Sequence, residues 1–326
     1  MKNKLAVVAL GGNALLRDAE EGTIDQQEQN TFDTLENIVF LLKQGYNIVI
    51  THGNGPQVGN IVMRNHAGEQ LYHIPHMPLD ICVADSQGGI GYMIERMLLN
   101  VLKKHNIKRN LLALMTMVEV DINDPAFARP AKRIGRPVER EVAERFTRER
   151  GWVFREEPDH PGMFKRMVPS PQPKHIMNWE IIKKNARAGT IVVAVGGGGV
   201  PVYIDDKGDV RPAEAVVDKD IASAILASQI GADEFYILTN VPYVYENYGK
   251  PGQRILEFLN YNDTLKHLEA GTFSEGSMAP KIRAALYFIK NGGEKSIITE
   301  STKLEDKSYG TKITMEYSEE DLHKYD

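Results

Sequence analysis

The sequence predicts an α/β fold built on a mostly parallel sheet. Short, wholly apolar runs alternate with longer segments of helical periodicity. Three of the runs end in glycine-rich loops, as strands do when they hand the chain to a helix. Composition is that of an ordinary globular protein, with 42% hydrophobic and 25% charged residues among 326.

Leu5 to Leu10 is a buried-type strand closed by Gly11-Gly12. Leu35, Ile38, Val39 and Leu42 then recur at helix spacing, and Gly45 supplies a stop. Asn47 to Ile50 reads as a second strand, followed by a loop from Thr51 to Pro56. Asp80 to His105 reads as a long helix with Ile90, Met93, Ile94, Met97 and Val101 on one face. Glycine inside a helix is costly, so Ser86-Gln87-Gly88-Gly89 suggests close packing there against another backbone. Leu111 to Val118 is apolar enough for a third strand.

From Asn123 to about Val168 the rhythm breaks into charge and prolines, with a charged helix expected over 139–150. A segment of this length between core elements reads as an inserted flap. The core resumes with a helix over 178–188 and a strand over 190–195 that enters Gly196 to Gly199. A hairpin over 202–210 turns at Asp205-Asp206-Lys207-Gly208. Helices over 220–230 and 278–291 then alternate with strands over 235–239 and 296–299. The chain therefore reads as two α/β halves on one sheet.

Several classes are excluded. The net charge of −5, with no basic stripe, argues against a nucleic-acid partner. No apolar run approaches the ~18 residues of a membrane span, and nothing before Leu5 has a secretory pattern. One cysteine, Cys82, allows no intrachain disulfide and no CxxC metal site, and a cytoplasmic home is the default.

The chemistry concentrates in Gly11-Gly12-Asn13, His52-Gly53-Asn54-Gly55 and Gly196-Gly197-Gly198-Gly199. Each stands at the C-terminal end of a predicted strand, where open parallel sheets bind ligands. Glycine lets a backbone approach an anion and offer it N–H groups. A lone Gly-Gly is more often just a turn; three such loops favour a phosphate or anion site. Neither GxGxxG nor GxxxxGK[ST] occurs. Phosphoryl transfer needs positive charge and positioning more than covalent chemistry. Lys219, between Asp218 and Asp220, and Lys281 lie near helix starts, and Lys132 lies in the flap. At Asp218 and Asp220 a helix N-cap competes with a role in the site, and the cap is the stronger reading at Asp220. His52 is expected to be a hydrogen-bonded loop residue and no general base. The other histidines lack metal-ligand spacing, and no metal ligand is predicted from the protein.

These residues carry a family resemblance. VALGGNAL at 8–15, HGNGPQVG at 52–59, SQGGIGY at 86–92, SPQP at 170–173, VDKD at 217–220, YENYGK at 245–250 and GSMAPK at 276–281 resemble carbamate kinases of the amino acid kinase superfamily, in order and over nearly the whole chain. The resemblance implies a three-layer αβα sandwich with a central eight-stranded sheet and a protruding subdomain. It implies one domain, 1–326, carrying the flap at 123–168, an acceptor half of about 1–190 and a nucleotide half of about 191–326. It implies a homodimer and the reaction ATP + carbamate ⇌ ADP + carbamoyl phosphate with Mg²⁺, run toward ATP in the breakdown of arginine, agmatine or purine nitrogen. Gly11, Gly12, Asn13, Gly53 and Asn54 would hold carbamate and the transferred phosphoryl. Gly196, Gly197, Gly198, Asn240, Tyr245 and Met278 would lie at the nucleotide. Lys132 would reach in from the flap, Asp218 would orient Lys219, and Lys219 with Lys281 would flank the phosphates.

Acetylglutamate kinases usually carry a lysine two residues before the first Gly-Gly. Ala9 stands there, as in carbamate kinases, which use the flap lysine instead. The chain departs from the common pattern at Arg133, Arg136-Pro137, Asn178, Val195 and Pro242. Two other readings stay open. A related small-acid kinase would let an amino acid compete with carbamate. A sensor of nucleotide or carbamoyl phosphate would bind ATP without turnover.

Overall fold

The structure is a computed structural model that describes residues 3–17, 20–158, 160–306 and 308–317. β1 (Leu5–Leu10) is buried along its whole length and runs into a single 3-10 turn, Gly12–Ala14. α1 (Ile24–Lys43) opens on a capping box between Thr23 and Gln26 and stops before Gly45, at φ 82°. β2 (Asn47–His52) leads into α2 (Gly55–Tyr72) and then α3 (Leu79–Lys104). The helix at α2 was not legible in the sequence. Its buried face is only the narrow row Val58, Gly59, Val62 and His66, and its start is a glycine loop.

The expected strand over 111–118 is broken. β3 (Leu111–Ala113) joins the main sheet, and β4 (Met117–Val120) joins another. Thr116, between them, gives its N–H to Gln87 Oε1 at 2.9 Å and its hydroxyl oxygen to the Val195 N–H at 3.1 Å. These side-chain bonds replace the ladder and turn the chain away.

The flap is more regular than its sequence suggested. It holds β5 (Lys132–Glu139), α4 (Arg140–Arg150), β6 (Val153–Glu157) and β7 (His160–Val168). The strands form an antiparallel sheet in the order β5-β7-β6. Phe146 and Trp152 stack at 5.0 Å and pack on His66 of α2, so the flap's small core is completed by the main body.

β8 (Pro173–Ile176), α5 (Trp179–Arg187) and β9 (Ile191–Val193) return to the core. The hairpin β10 (Val200–Ile204) and β11 (Val210–Pro212) follows as expected. The C-terminal half holds α6 (Lys219–Gln229), β12 (Glu234–Thr239), β13 (Val244–Glu246), β14 (Arg254–Leu256), β15 (Phe258–Asn260), α7 (Tyr261–Glu269), α8 (Met278–Lys290), β16 (Lys295–Glu300) and β17 (Thr311–Thr314).

The main sheet has eight strands in the order β15-β17-β16-β12-β1-β2-β9-β3, and only β16 and β17 pair antiparallel. β1 explains the layering. Leu5, Val7 and Ala9 point into a core shared with α6 and α8, while Ala6, Val8 and Leu10 join the core of α1 and α3. A strand buried on both faces must be apolar throughout, as this one is. The order reverses beside β1, so the loops after β1, β2, β9 and β12 meet at one end of the sheet.

Candidate active site

Three lysines from separate segments are gathered there by two carboxylates. Lys132, the first residue of β5, donates to Asp218 Oδ2 at 2.7 Å. Asp218 Oδ1 accepts the Asp220 N–H at 2.9 Å, so Asp218 also caps α6. Asp220 takes Lys219 Nζ on Oδ1 at 2.6 Å and Lys281 Nζ on Oδ2 at 3.0 Å. Sequence reasoning favoured a cap at Asp220 and had Asp218 orient Lys219. The geometry differs: Asp218 is the cap and holds Lys132, and Asp220 is the clamp on Lys219 and Lys281. A signal was present. Asp220, Ser223, Ala224 and Ala227 share the buried face of α6, and a carboxylate on such a face requires cations.

Charges follow from this geometry. Burial pushes Lys219 below the usual lysine range; Asp220 opposes this and Lys281 adds to it. Burial would raise the Asp220 carboxyl, but Lys219 and Lys281 outweigh it and hold the group well below the carboxylate range. Asp220 is therefore ionised at neutral pH and keeps two ammonium groups close together. Two cations this close, with N–H donors left over, form a ready site for a polyphosphate.

The glycines explain how the loops approach. A Cβ on Gly53 would lie 3.1 Å from Lys219 Cδ, so this glycine leaves a channel for the lysine stem. A Cβ on Gly11 would meet the Leu238 carbonyl oxygen at 2.5 Å, which sets the first glycine turn against the end of β12. Gly12 has open space and is exposed; Asn13 shares its turn, and the Asn13 side chain lies outside the described residues. The 196–199 loop has a different reason for its glycines. A Cβ on Gly196 would meet His52 Nε2 at 2.4 Å, and one on Gly197 would meet Asn54 Nδ2 at 2.3 Å. Gly198, at φ 90°, lies against the Val217 carbonyl. Protein packing accounts for this loop: it wedges the second glycine loop against the residue before Asp218.

Polar bonds lock the same wedge. Asn54, buried, donates to Ser86 Oγ at 2.8 Å, and Gln87 Nε2 donates to the Gly196 carbonyl at 2.9 Å. Ser223 donates to the Lys219 carbonyl, so the 2.6 Å contact with Thr51 is donated by Thr51. Ser86 and Gln87 thus brace the site, and Gly88 and Gly89 meet no backbone within this chain: both are exposed, with nothing within 4 Å of a Cβ. His52 is buried, with Nδ1 2.9 Å from the Gly53 carbonyl, which makes Nδ1 the protonated nitrogen. Burial pushes this imidazole down to about 4, so it is neutral at physiological pH. The remaining candidates lie on other segments. Asn240 is exposed just after β12, Tyr245 lies in β13 with its ring 5.5 Å from Tyr248, and Met278 opens α8 one turn before Lys281.

Residues 4–300 match the model of the amino acid kinase family. A carbamate kinase of Pyrococcus furiosus is 43% identical over 300 residues, 92% of this chain and 95% of that protein. One from Trichomonas vaginalis is 40% identical over 90% of this chain and 93% of that protein. The structure of carbamate kinase from Giardia lamblia bound to AMP-PNP superposes with a TM-score of 0.87 at 36% identity, covering 96% of this chain and 98% of that one. The match spans both halves of the sheet and the flap alike, and the chain belongs to the amino acid kinase family.

Proposed function

We propose that this protein transfers a phosphoryl group reversibly between ATP and carbamate, forming ADP and carbamoyl phosphate. The observation that carries this reading is the gathering of Lys132, Lys219 and Lys281 by Asp218 and Asp220 beside the Gly53 loop. Carbamate is ionised at neutral pH and needs no base, which suits a site whose histidine is neutral and bonded to a backbone carbonyl. A carbamate oxygen bonds to the γ-phosphorus as the bond to the ADP oxygen breaks. Lys219 and Lys281 meet the nucleotide phosphates, and Lys132 meets the group in transit from the other side. β1 carries no lysine, with Ala9 at the position that acetylglutamate kinases fill with one, so the flap supplies the charge.

The acceptor is placed in the half of about 1–190, beside Gly11, Gly12, Asn13, Gly53 and Asn54. The nucleotide is placed in the half of about 191–326, near Asn240, Tyr245 and Met278. Mg²⁺ would arrive on the nucleotide. Both oxygens of Asp220 are taken by lysines, and those of Asp218 by Lys132 and the helix cap, so phosphate oxygens and water are left to hold it. Bound there, it would offset phosphate charge.

A homodimer is part of this reading. On α3 an exposed stripe runs through Ile81, Gly88, Gly89, Tyr92 and Leu99, beside the edge strand β3 and exposed Met115. Among the described residues no helix is long and apolar enough to cross a membrane. A cytoplasmic site and operation toward ATP in nitrogen catabolism complete the proposal. Incubation with carbamoyl phosphate, Mg²⁺ and ADP tests it: ATP should form, and its absence refutes the reading.

A further inference from the structure

β5 leaves the lysine cluster as a strap that is tied at two points, its first residue and its middle. Its first residue, Lys132, is held on Asp218. The strand then passes the start of α2, where a Cβ on Gly55 would lie 4.0 Å from the Arg133 carbonyl oxygen. Gly135, at φ 73°, lies directly on Gly59 of α2, and a Cβ on Gly59 would come within 2.0 Å of the Gly135 Cα. The pairing with β7 jumps here from Ile134–Arg166 to Val138–Phe164, so 135–137 bulge out of the flap sheet. The bulge delivers Arg136, whose guanidinium donates to the Glu21 carbonyl. Gly22, at φ 78°, lies beside it, with a Cβ there at an ordinary contact distance of 3.7 Å from Arg136 Nη2.

The receiving segment is braced. Gly22 donates its N–H to Gln26 Oε1 at 2.8 Å and accepts from Gln27 Nε2 at 2.9 Å, and Gln57 of α2 donates to Gln27 Oε1 at 2.9 Å. It also follows shortly after the Gly11-Gly12 turn. The strap therefore joins the nucleotide half, the second glycine loop and the segment after the first.

We propose that Arg136 is a clasp that closes the acceptor end of the site and sets the size of the acid it admits. The proposal rests on the phosphoryl-transfer reading above. Arg136 acts through the strap as a positioning residue. Its bond draws Gly135 onto Gly59, where no side chain fits, and leaves the acceptor end room for a one-carbon acid but not for a longer carboxylate. The acceptor of the clasp is a neutral peptide carbonyl, so the bond does not depend on the charge of the bound phosphate. The chemistry needs an N–H donor on a long side chain.

The test compares wild type, Arg136→Ala and Arg136→Lys as ATP-forming enzymes, with carbamoyl phosphate and butyryl phosphate as donors to ADP. Arg136→Ala should raise KM for carbamoyl phosphate about 3- to 10-fold, with kcat within about twofold. Its preference for carbamoyl over butyryl phosphate should fall by a similar factor, and amide exchange across 134–138 should quicken. Arg136→Lys should recover most of each effect. Unchanged preference and unchanged exchange in Arg136→Ala would overturn the clasp. A higher KM with unchanged exchange would also overturn it, because lost charge would then be the cause. Wild type that makes no ATP from either donor refutes the parent reading, and the exchange comparison still judges the clasp.

Discussion

Lys132 and Asp218 meet at 2.7 Å across the boundary between the flap and the main body. The pair joins the first residue of β5 to the N-cap of α6, so the flap cation is positioned by the same carboxylate that caps the helix carrying Lys219. Replacing Lys132 with Ala should lower kcat by about 100-fold or more, since a cation at the transferred phosphoryl stabilises charge developing in the transition state. KM for ADP should change little. Steady-state kinetics in the ATP-forming direction decide this, and an unchanged kcat would remove Lys132 from the site.

Asp220 should be as important to stability as to rate. Asp220→Asn leaves two ammonium groups facing each other in a largely buried place. Breaking one partner of a buried ion cluster costs about 3 kcal/mol. Urea unfolding should show that loss, and kcat should drop along with it. A variant with full stability and full rate would mean that Lys219 and Lys281 are held by something else.

Gly59→Ala tests the docking of the flap without touching a charge. Its methyl group would clash with the Gly135 backbone, which no side-chain rotation relieves. The flap should lift, at about 1–3 kcal/mol of strain. Protease digestion should then cut within 123–168 sooner than in wild type, and activity should fall with an intact main-body fold by circular dichroism.

The neutral state of His52 has a consequence in acid. Its imidazole stays unprotonated in the fold down to about 4, against 6.5 when free. Between those values the unfolded chain takes up a proton that the folded chain refuses. Stability is therefore full above pH 6.5 and declines as pH falls through that window, by on the order of 3 kcal/mol when complete. His52→Asn keeps an N–H for the Gly53 carbonyl and should flatten this part of the stability curve. Equal acid sensitivity in both proteins would show that other groups govern it.

Much of the core rhythm was legible because burial on both faces leaves a strand no freedom in composition. β1 and β2 could be read directly, as could the α1 face through Leu35, Ile38, Val39 and Leu42. The 111–118 stretch could not be divided, because the break at Thr116 is made by Gln87, a distant side chain. α2 was missed because its buried residues are a narrow row between α3 and the flap, and the flap's regular sheet was hidden because its core borrows His66 from the main body.

The chain by itself determined the layered α/β architecture, the glycine turns at strand ends and the likeness to carbamate kinases. These depend on local pattern and on ordered motifs. Tertiary structure alone decided which acid serves which lysine, since Asp218, the N-cap of α6, and Asp220, in its first turn, are two residues apart yet meet different lysines. It also decided why the 196–199 loop is all glycine, and that the strap carrying Lys132 is fastened beyond it at Arg136. All three are matters of what lies within a few ångströms across the chain, and sequence spacing carries no record of that distance.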